Sequence, residues 1–150
     1  MNKYTSILAT EEHELVTSVD RFKRWTSFQM GFFLNGVAIG HGHLEGCHIV
    51  PRRNKKWLQT DAVALHTQYR NKGHGIHLYC ALIKTAIALG ATRIYSSRHL
   101  NKFSKRMWSV KLKKYFDVRP VISKKPCKQC GTRNPHTIAY YIDLAKLKQT

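Results

Sequence analysis

The sequence predicts a mixed α/β fold in a single domain over residues 1–150, with one sheet of about six to seven strands flanked by helices. Three observations predict it. Apolar runs of strand length recur along the chain and alternate with amphipathic helical segments. An Asn35-Gly36 pair between two apolar runs marks a hairpin. A glycine-bearing turn, Tyr69-Arg70-Asn71-Lys72-Gly73-His74-Gly75-Ile76, joins a strand to a long helix in mid-chain, as in a crossover between parallel strands. With 150 residues and 43% apolar content, the chain has room for a core and material to fill it.

The elements follow in order. Tyr4 to Thr10 reads as a first short strand. Glu11 to Phe22 reads as a helix, with Thr10 as N-cap and Glu11, Glu12 and Glu14 complementing the dipole of its first turns. Phe28 to Leu34 and Val37 to Leu44 are the arms of the hairpin, and Pro51 to Lys56 is a basic loop. Trp57 to Leu65 is the next strand. The helix after the glycine turn spans roughly His74 to Leu89, with Ile76, Leu78, Tyr79, Leu82, Ile83, Ala86 and Ile87 as its apolar stripe. Gly90 ends it as a C′ glycine. Thr92 to Ser96 is a short strand. Lys102 to Lys114 is a further helix, with Phe103, Met107, Val110 and Lys114 sharing one face. Val118 to Ser123 and Thr137 to Leu144 close the sheet.

Charge narrows the function classes. Lys and Arg number 26 against 8 Asp and Glu, a net of +18. Residues 98–150 carry 14 of the basic side chains and 2 of the acidic ones. A field this strong draws polyanions, such as nucleic acid or an acidic protein surface, and repels small cations. Arg52, Arg53, Lys55 and Lys56 in the basic loop, and Lys102, Lys105, Arg106 and Lys113 on the last helix, are the candidate nucleic-acid contacts. No run of about 20 apolar residues is present, so no transmembrane helix is expected. Met1 to Thr5 lacks a signal-peptide hydrophobic region, which reads as a cytoplasmic protein. The cysteines, Cys47, Cys80, Cys127 and Cys130, are then no disulfide framework, and Cys80 reads as a buried thiol. Cys127 and Cys130 have the spacing of half a zinc knuckle, with His136, Cys47 and His48 as weak further ligands; a metal-free loop explains the pair more cheaply.

The central turn carries the chemistry. A helix start presents unpaired N–H groups and the positive end of the macrodipole, and glycines let an anion come close. Arg70 and Lys72 add charge where a phosphate would sit. Read structurally, the same glycines only make a tight turn.

The order of elements, the Arg-x-x-Gly-x-Gly turn of Arg70 to Gly75, and the later piece Ile94 to Ser97 with Asn101-Lys102-Phe103-Ser104-Lys105-Arg106-Met107-Trp108 together resemble the GNAT superfamily of acyl-CoA-dependent N-acetyltransferases. The resemblance covers residues 4–144. It implies acetyl-CoA or another acyl-CoA as cofactor. Arg70, Lys72, Gly73, His74 and Gly75 would then meet its pyrophosphate, Leu65 and Thr67 would pair with the pantetheine arm through backbone, and Asn101 and Ser104 would lie near the arm's far end. Trp108 stands where many members carry a tyrosine that protonates the leaving thiolate. An indole N–H has no acidic proton near neutral pH. The acid is then Tyr95, Tyr115 or water, or catalysis has been lost. Leu112 also replaces a glycine of the family pattern.

Acyl transfer to an amine needs a base. The candidates are His43, Glu45, Asp61 and His66, with His66 favoured because the resemblance puts it where the strand splays open; each also reads as an ordinary polar surface residue. The resemblance and the charge together point to transfer onto an amine of a nucleic-acid-associated or acidic macromolecule: a lysine on a nucleic-acid-binding protein, an aminoacyl-tRNA, or a base amine as in a Mom-type DNA modification. The alternative is a non-catalytic basic module of the same fold that binds nucleic acid or an acidic protein. A small cationic acceptor fits the field poorly. A homodimer is among the arrangements the resemblance allows.

Overall fold

Asn35 and Gly36 take positive φ, 49° and 80°, the type I′ geometry that matches the twist of two antiparallel strands. They join β2 (Trp25–Leu34) to β3 (Val37–Cys47) in a computed structural model that describes residues 13–21, 25–47, 57–98, 100–123 and 136–149. The other strands are β1 (His13–Arg21), β4 (Trp57–Leu65), β5 (Arg93–Tyr95), β6 (Val118–Ser123) and β7 (His136–Asp143). All seven form one sheet in the order β1-β2-β3-β4-β5-β7-β6. Every neighbouring pair is antiparallel except β4 and β5.

One expected element is corrected. The stretch Glu11–Phe22 does not form a helix: His13–Arg21 is strand β1 and pairs with β2 along its whole length. The capping signal at Thr10 and the acidic first turn are outweighed by Val16, Thr17 and Val19, whose branched side chains are stiff in a helix and suited to a sheet. The long edge of β2 supplies the partner. The expected strand Tyr4–Thr10 lies outside the described residues.

β4 leads through a 3-10 turn (Thr67–Tyr69) and the glycine turn into helix α1 (His74–Ala88). Leu78, Cys80, Leu82, Ile83 and Ala86 of α1 are buried against the sheet. Gly42 of β3 marks the contact, because a Cβ there would come within 3.0 Å of Leu82 Cδ1. Gly90, at φ 83°, ends the helix in a Schellman motif: Gly90 N–H donates to the Ile87 carbonyl and Ala91 N–H to that of Ala86.

The segment expected as one helix from Lys102 to Lys114 changes pitch twice. Helix α2 (Lys102–Arg106) runs into a π turn (Met107–Lys111) and then a 3-10 turn (Leu112–Lys114). The wider turn shifts the phase of everything after it. Trp108 and Leu112 enter the core and Val110 stays outside it; Phe103, ahead of the π turn, is exposed and shares no buried face with Met107.

The sheet is continuous everywhere but at its centre. β4 and β5 pair only from Trp57 to Gln59, opposite Arg93 to Tyr95. Beyond that, β4 runs on to Leu65 with β3 on one edge and, among the described residues, no strand on the other. A bulge at Ala62, whose φ is +48°, turns the strand there, and the pairing with β3 slips between His41 and His43. The strands thus part around an opening in the middle of the sheet.

Candidate active site

The opening is a cleft of about 190 Å³. Thr60, Asp61, Ala62 and Val63 of β4 form one wall. Ser97, Leu100, Asn101 and Ser104, from the segment entering α2, form the other, and Tyr79 of α1 closes it. His66 N–H donates to the Ile39 carbonyl of β3, so by strand alternation the N–H and carbonyl of Leu65 point to the open edge, where the carbonyl already accepts from Arg70 Nε and the N–H faces the gap. An unpaired strand edge accepts another extended chain of amides.

The glycine turn sits at the end of that edge. Asn71 and Gly73 both have positive φ, 62° and 86°. Gly73 is the N-cap of α1, supplies no side-chain cap, and is followed by no acidic residue in the first turn. A helix start left this way favours an anion from outside the chain. Lys72 is exposed beside it. Arg70 also braces the turn against β4, its Nε donating to the Leu65 carbonyl at 3.0 Å. Gly75 serves packing, since a Cβ there would lie 3.0 Å from Met107 Cε. The His74 ring packs edge-on against Tyr69, and Thr67 is exposed in the 3-10 turn.

Asn101 is the N-cap of α2, its Oδ1 accepting from Ser104 N–H at 2.9 Å. This bond fixes two residues that line the cleft.

Sequence reasoning placed Tyr79 in the apolar stripe of α1 and missed its hydroxyl. The ring is core, only 7% exposed, and meets Trp108 edge-on at 6.0 Å. The phenol belongs to the cleft. Burial raises its pKa, and the neighbouring Ser104 hydroxyl and Trp108 indole offset that only in part. Tyr79 therefore keeps its proton at neutral pH. The signal for it was a tyrosine among Leu, Ile and Ala on a buried helix face, since a buried phenol needs a polar neighbour. Trp108 is wholly buried and does not line the cleft; its indole N–H is near enough to the Tyr79 oxygen to favour the phenolate slightly, yet has no partner among the described residues in proper hydrogen-bond geometry.

Three of the four candidate bases come together. His43 is the register partner of Asp61, and Glu45 follows two residues along β3 on the same face. One donor atom from each lies within 4.8 Å of the others. Gly42 faces α1, so this trio occupies the opposite face of the sheet, with Asp61 reaching the cleft. His43 Nε2 lies 2.7 Å from the Ser27 hydroxyl, which orients the ring. The set has the chemistry of a proton acceptor beside two negative charges, and an imidazole with two carboxylates also suits a divalent cation. His66 stands apart, exposed at the end of β4.

Tyr95 and Tyr115 lie away from the cleft. Tyr95 packs against Trp57 and Tyr141 and its hydroxyl accepts from Arg93. Tyr115 is exposed after the last 3-10 turn. Lys102, Lys105, Arg106 and Lys113 are exposed. Cys80 is fully buried, and burial pushes its thiol up to about 12. Arg52, Arg53, Lys55, Lys56, Cys127 and Cys130 lie outside the described residues. Among the described residues, no helix is long and apolar enough to cross a membrane.

Comparison with known proteins gives the site its context. Residues 3–111 match the family model described as the acetyltransferase (GNAT) family. A GNAT family acetyltransferase from Elizabethkingia anophelis, solved with acetyl-CoA bound, is similar in fold at a TM-score of 0.58 and 13% identity, covering 90% of this chain and 100% of that one. Naa50 from Arabidopsis thaliana, in complex with the bisubstrate analogue CoA-Ac-MVNAL, superposes at 0.51 with 12% identity over 75% of this chain and 70% of its own. An acetyltransferase from Streptococcus agalactiae superposes at 0.50 with 15% identity over 79% and 67%. No curated protein matches the chain.

Proposed function

The chain belongs to the acetyltransferase (GNAT) family, and on that premise we propose that it is an acyl-CoA-dependent N-acyltransferase, using acetyl-CoA, whose acceptor is an amine on a nucleic-acid-associated substrate. The observation that carries the reading is the convergence on one opening of an unpaired strand edge, a protonated phenol and a base cluster.

The residues fit the cofactor. The uncapped start of α1 with Lys72 suits a pyrophosphate, and the open edge at Leu65 suits a pantetheine amide. When bound, acyl-CoA supplies the acyl group as an activated thioester. The protein's own groups do the rest. Glu45 and Asp61 hold an incoming ammonium ion beside the cleft, and His43, oriented by Ser27, takes its proton so that the nitrogen can attack. On the α1 side, the Tyr79 hydroxyl holds the proton that a departing thiolate needs. It thereby fills the role left open by Trp108.

The acceptor follows from charge. At +18 overall, the protein collects polyanions, so the amine is best carried by one or by something bound to one. A protein lysine, an aminoacyl-tRNA or a base amine all satisfy this, the last being the Mom-type reaction. The competing reading is a non-catalytic basic module, favoured by the burial of Trp108.

Thermal melting with and without acetyl-CoA tests the enzyme reading, with Lys72→Glu as the control. Lys72 is exposed, so its change reports on the anion site, whereas Gly75→Glu would also crowd the Met107 methyl and mix a packing effect into the readout. Stabilisation of the wild type that is weakened in Lys72→Glu supports the reading. No stabilisation of the wild type favours the binding module.

A further inference from the structure

We propose that the exposed ring of Phe103 is a stacking platform for an unpaired base of a single-stranded nucleic acid, whose phosphates lie against Lys102, Lys105 and Arg106. This gives the polyanionic acceptor a strand type and a landing point. Its link to catalysis rests on the proposed acyltransfer.

Phe103 is 66% exposed, more than any other large apolar side chain among the described residues. Three cations surround it in sequence, all exposed, and none takes part in an ion pair among the described residues. Four acidic side chains lie elsewhere: Glu45 and Asp61 in the base cluster, Asp117 paired with Arg119, and Asp143 accepting from Ala145 N–H. Arg106 follows Phe103 by three residues and so shares its helix face, where a planar guanidinium can extend the stack. A bare aromatic ring amid unpaired cations matches one class of ligand closely. Phosphates neutralise the cations, and the flat face of a base covers the ring. In a duplex those base faces are already stacked on their neighbours, so the ring selects a single strand. An acidic protein would satisfy the charges and leave the ring wet. Ser104, the next residue, lines the cleft, so a strand held at Phe103 is anchored on the element that forms one of its walls.

Fluorescence anisotropy with a labelled single strand of about 16 nucleotides, and with the matching duplex, tests this. Phe103→Ala should weaken single-strand binding about 5- to 100-fold and leave the salt dependence unchanged, Phe103→Trp should restore it, and duplex binding should not move. Lys102→Gln with Lys105→Gln should lower the log–log salt slope by about 0.7 for each lost contact. An equal effect of Phe103→Ala on strand and duplex, or none on either, overturns the proposal. So does polyglutamate that displaces the strand as well as unlabelled strand does. Loss of acetyl-CoA stabilisation in Phe103→Ala would assign the ring to the cofactor instead and overturns it too. If the wild type shows no acetyl-CoA stabilisation but the Phe103 pattern holds, the acyltransfer reading fails and the platform stands.

Discussion

Helix α1 has 15 residues and buries Leu78 through Ile83 without a break, whereas α2 has 5 residues and buries none. Both face the same cleft, α1 through Tyr79 and α2 through Asn101 and Ser104. Their construction fits the roles proposed for them. A proton donor works only where its oxygen is held still, and α1 holds Tyr79 by packing six consecutive residues into the core. A surface that meets a large polyanion works by being open, and α2 gains its rigidity from one capping bond at Asn101 while leaving Phe103 and three cations in solvent. One side of the cleft is fixed by the hydrophobic effect, the other by a hydrogen bond.

Leu82→Ala strikes the packed side hardest. Leu82 is wholly buried under Gly42, so its truncation should cost about 2–5 kcal/mol in a denaturant titration. A loss under about 1 kcal/mol would mean α1 is not the anchor described. Next in size is Tyr79→Phe, which keeps the packing and removes only the hydroxyl. Turnover should fall by about 100-fold or more with acetyl-CoA stabilisation intact, and a wild-type rate in single-turnover assays would remove Tyr79 from the chemistry.

Burial of Cys80 gives a third test, through pH. Its thiol titrates near 9.0 when unfolded and at about 12 in the fold. Between those values the unfolded chain has lost its proton and the native protein has kept it, so stability falls as pH rises through that window and is unaffected below it. The difference between wild type and Cys80→Ala should shift by about 1.5 kcal/mol from about pH 7 to about pH 10. An unchanged difference would show that α1 admits water at its centre. The smallest effect belongs to the open side: Phe103→Ala should change stability by no more than about 0.5 kcal/mol. A larger loss in melting experiments would mean that the ring supports the fold.

What the residues disclosed beforehand divides along the same line. The Asn35-Gly36 hairpin, the glycine turn and the Gly90 stop were legible because each depends on a local backbone conformation that few residues adopt. Strand β1 was not, because Thr10 and three glutamates imitate a helix start and only the edge of β2 decides otherwise. His43, Glu45 and Asp61 could each be named from the sequence. Their meeting could not be, since it depends on a register that slips at the Ala62 bulge. Tyr79 was hidden by its own burial: periodicity records where a ring goes and is silent about where the hydroxyl ends. The π turn at Met107 has no local signature, and it resets the phase in which Trp108 and Leu112 enter the core while Val110 stays outside.

The gap between β4 and β5 has one more consequence. Exposed strand edges normally lie at the rim of a sheet, where any passing chain can add to them, and proteins guard them with charge, proline or a covering loop. Here the unpaired stretch of β4 is set inside the sheet, with β3 on one flank and β5, β7 and β6 beyond the other. A second polypeptide has no side-on approach to it, while a thin amide chain entering end-on does. Resistance to aggregation and readiness to take up a linear ligand, which ordinarily compete for the same edge, are both met by moving that edge from the border to the middle.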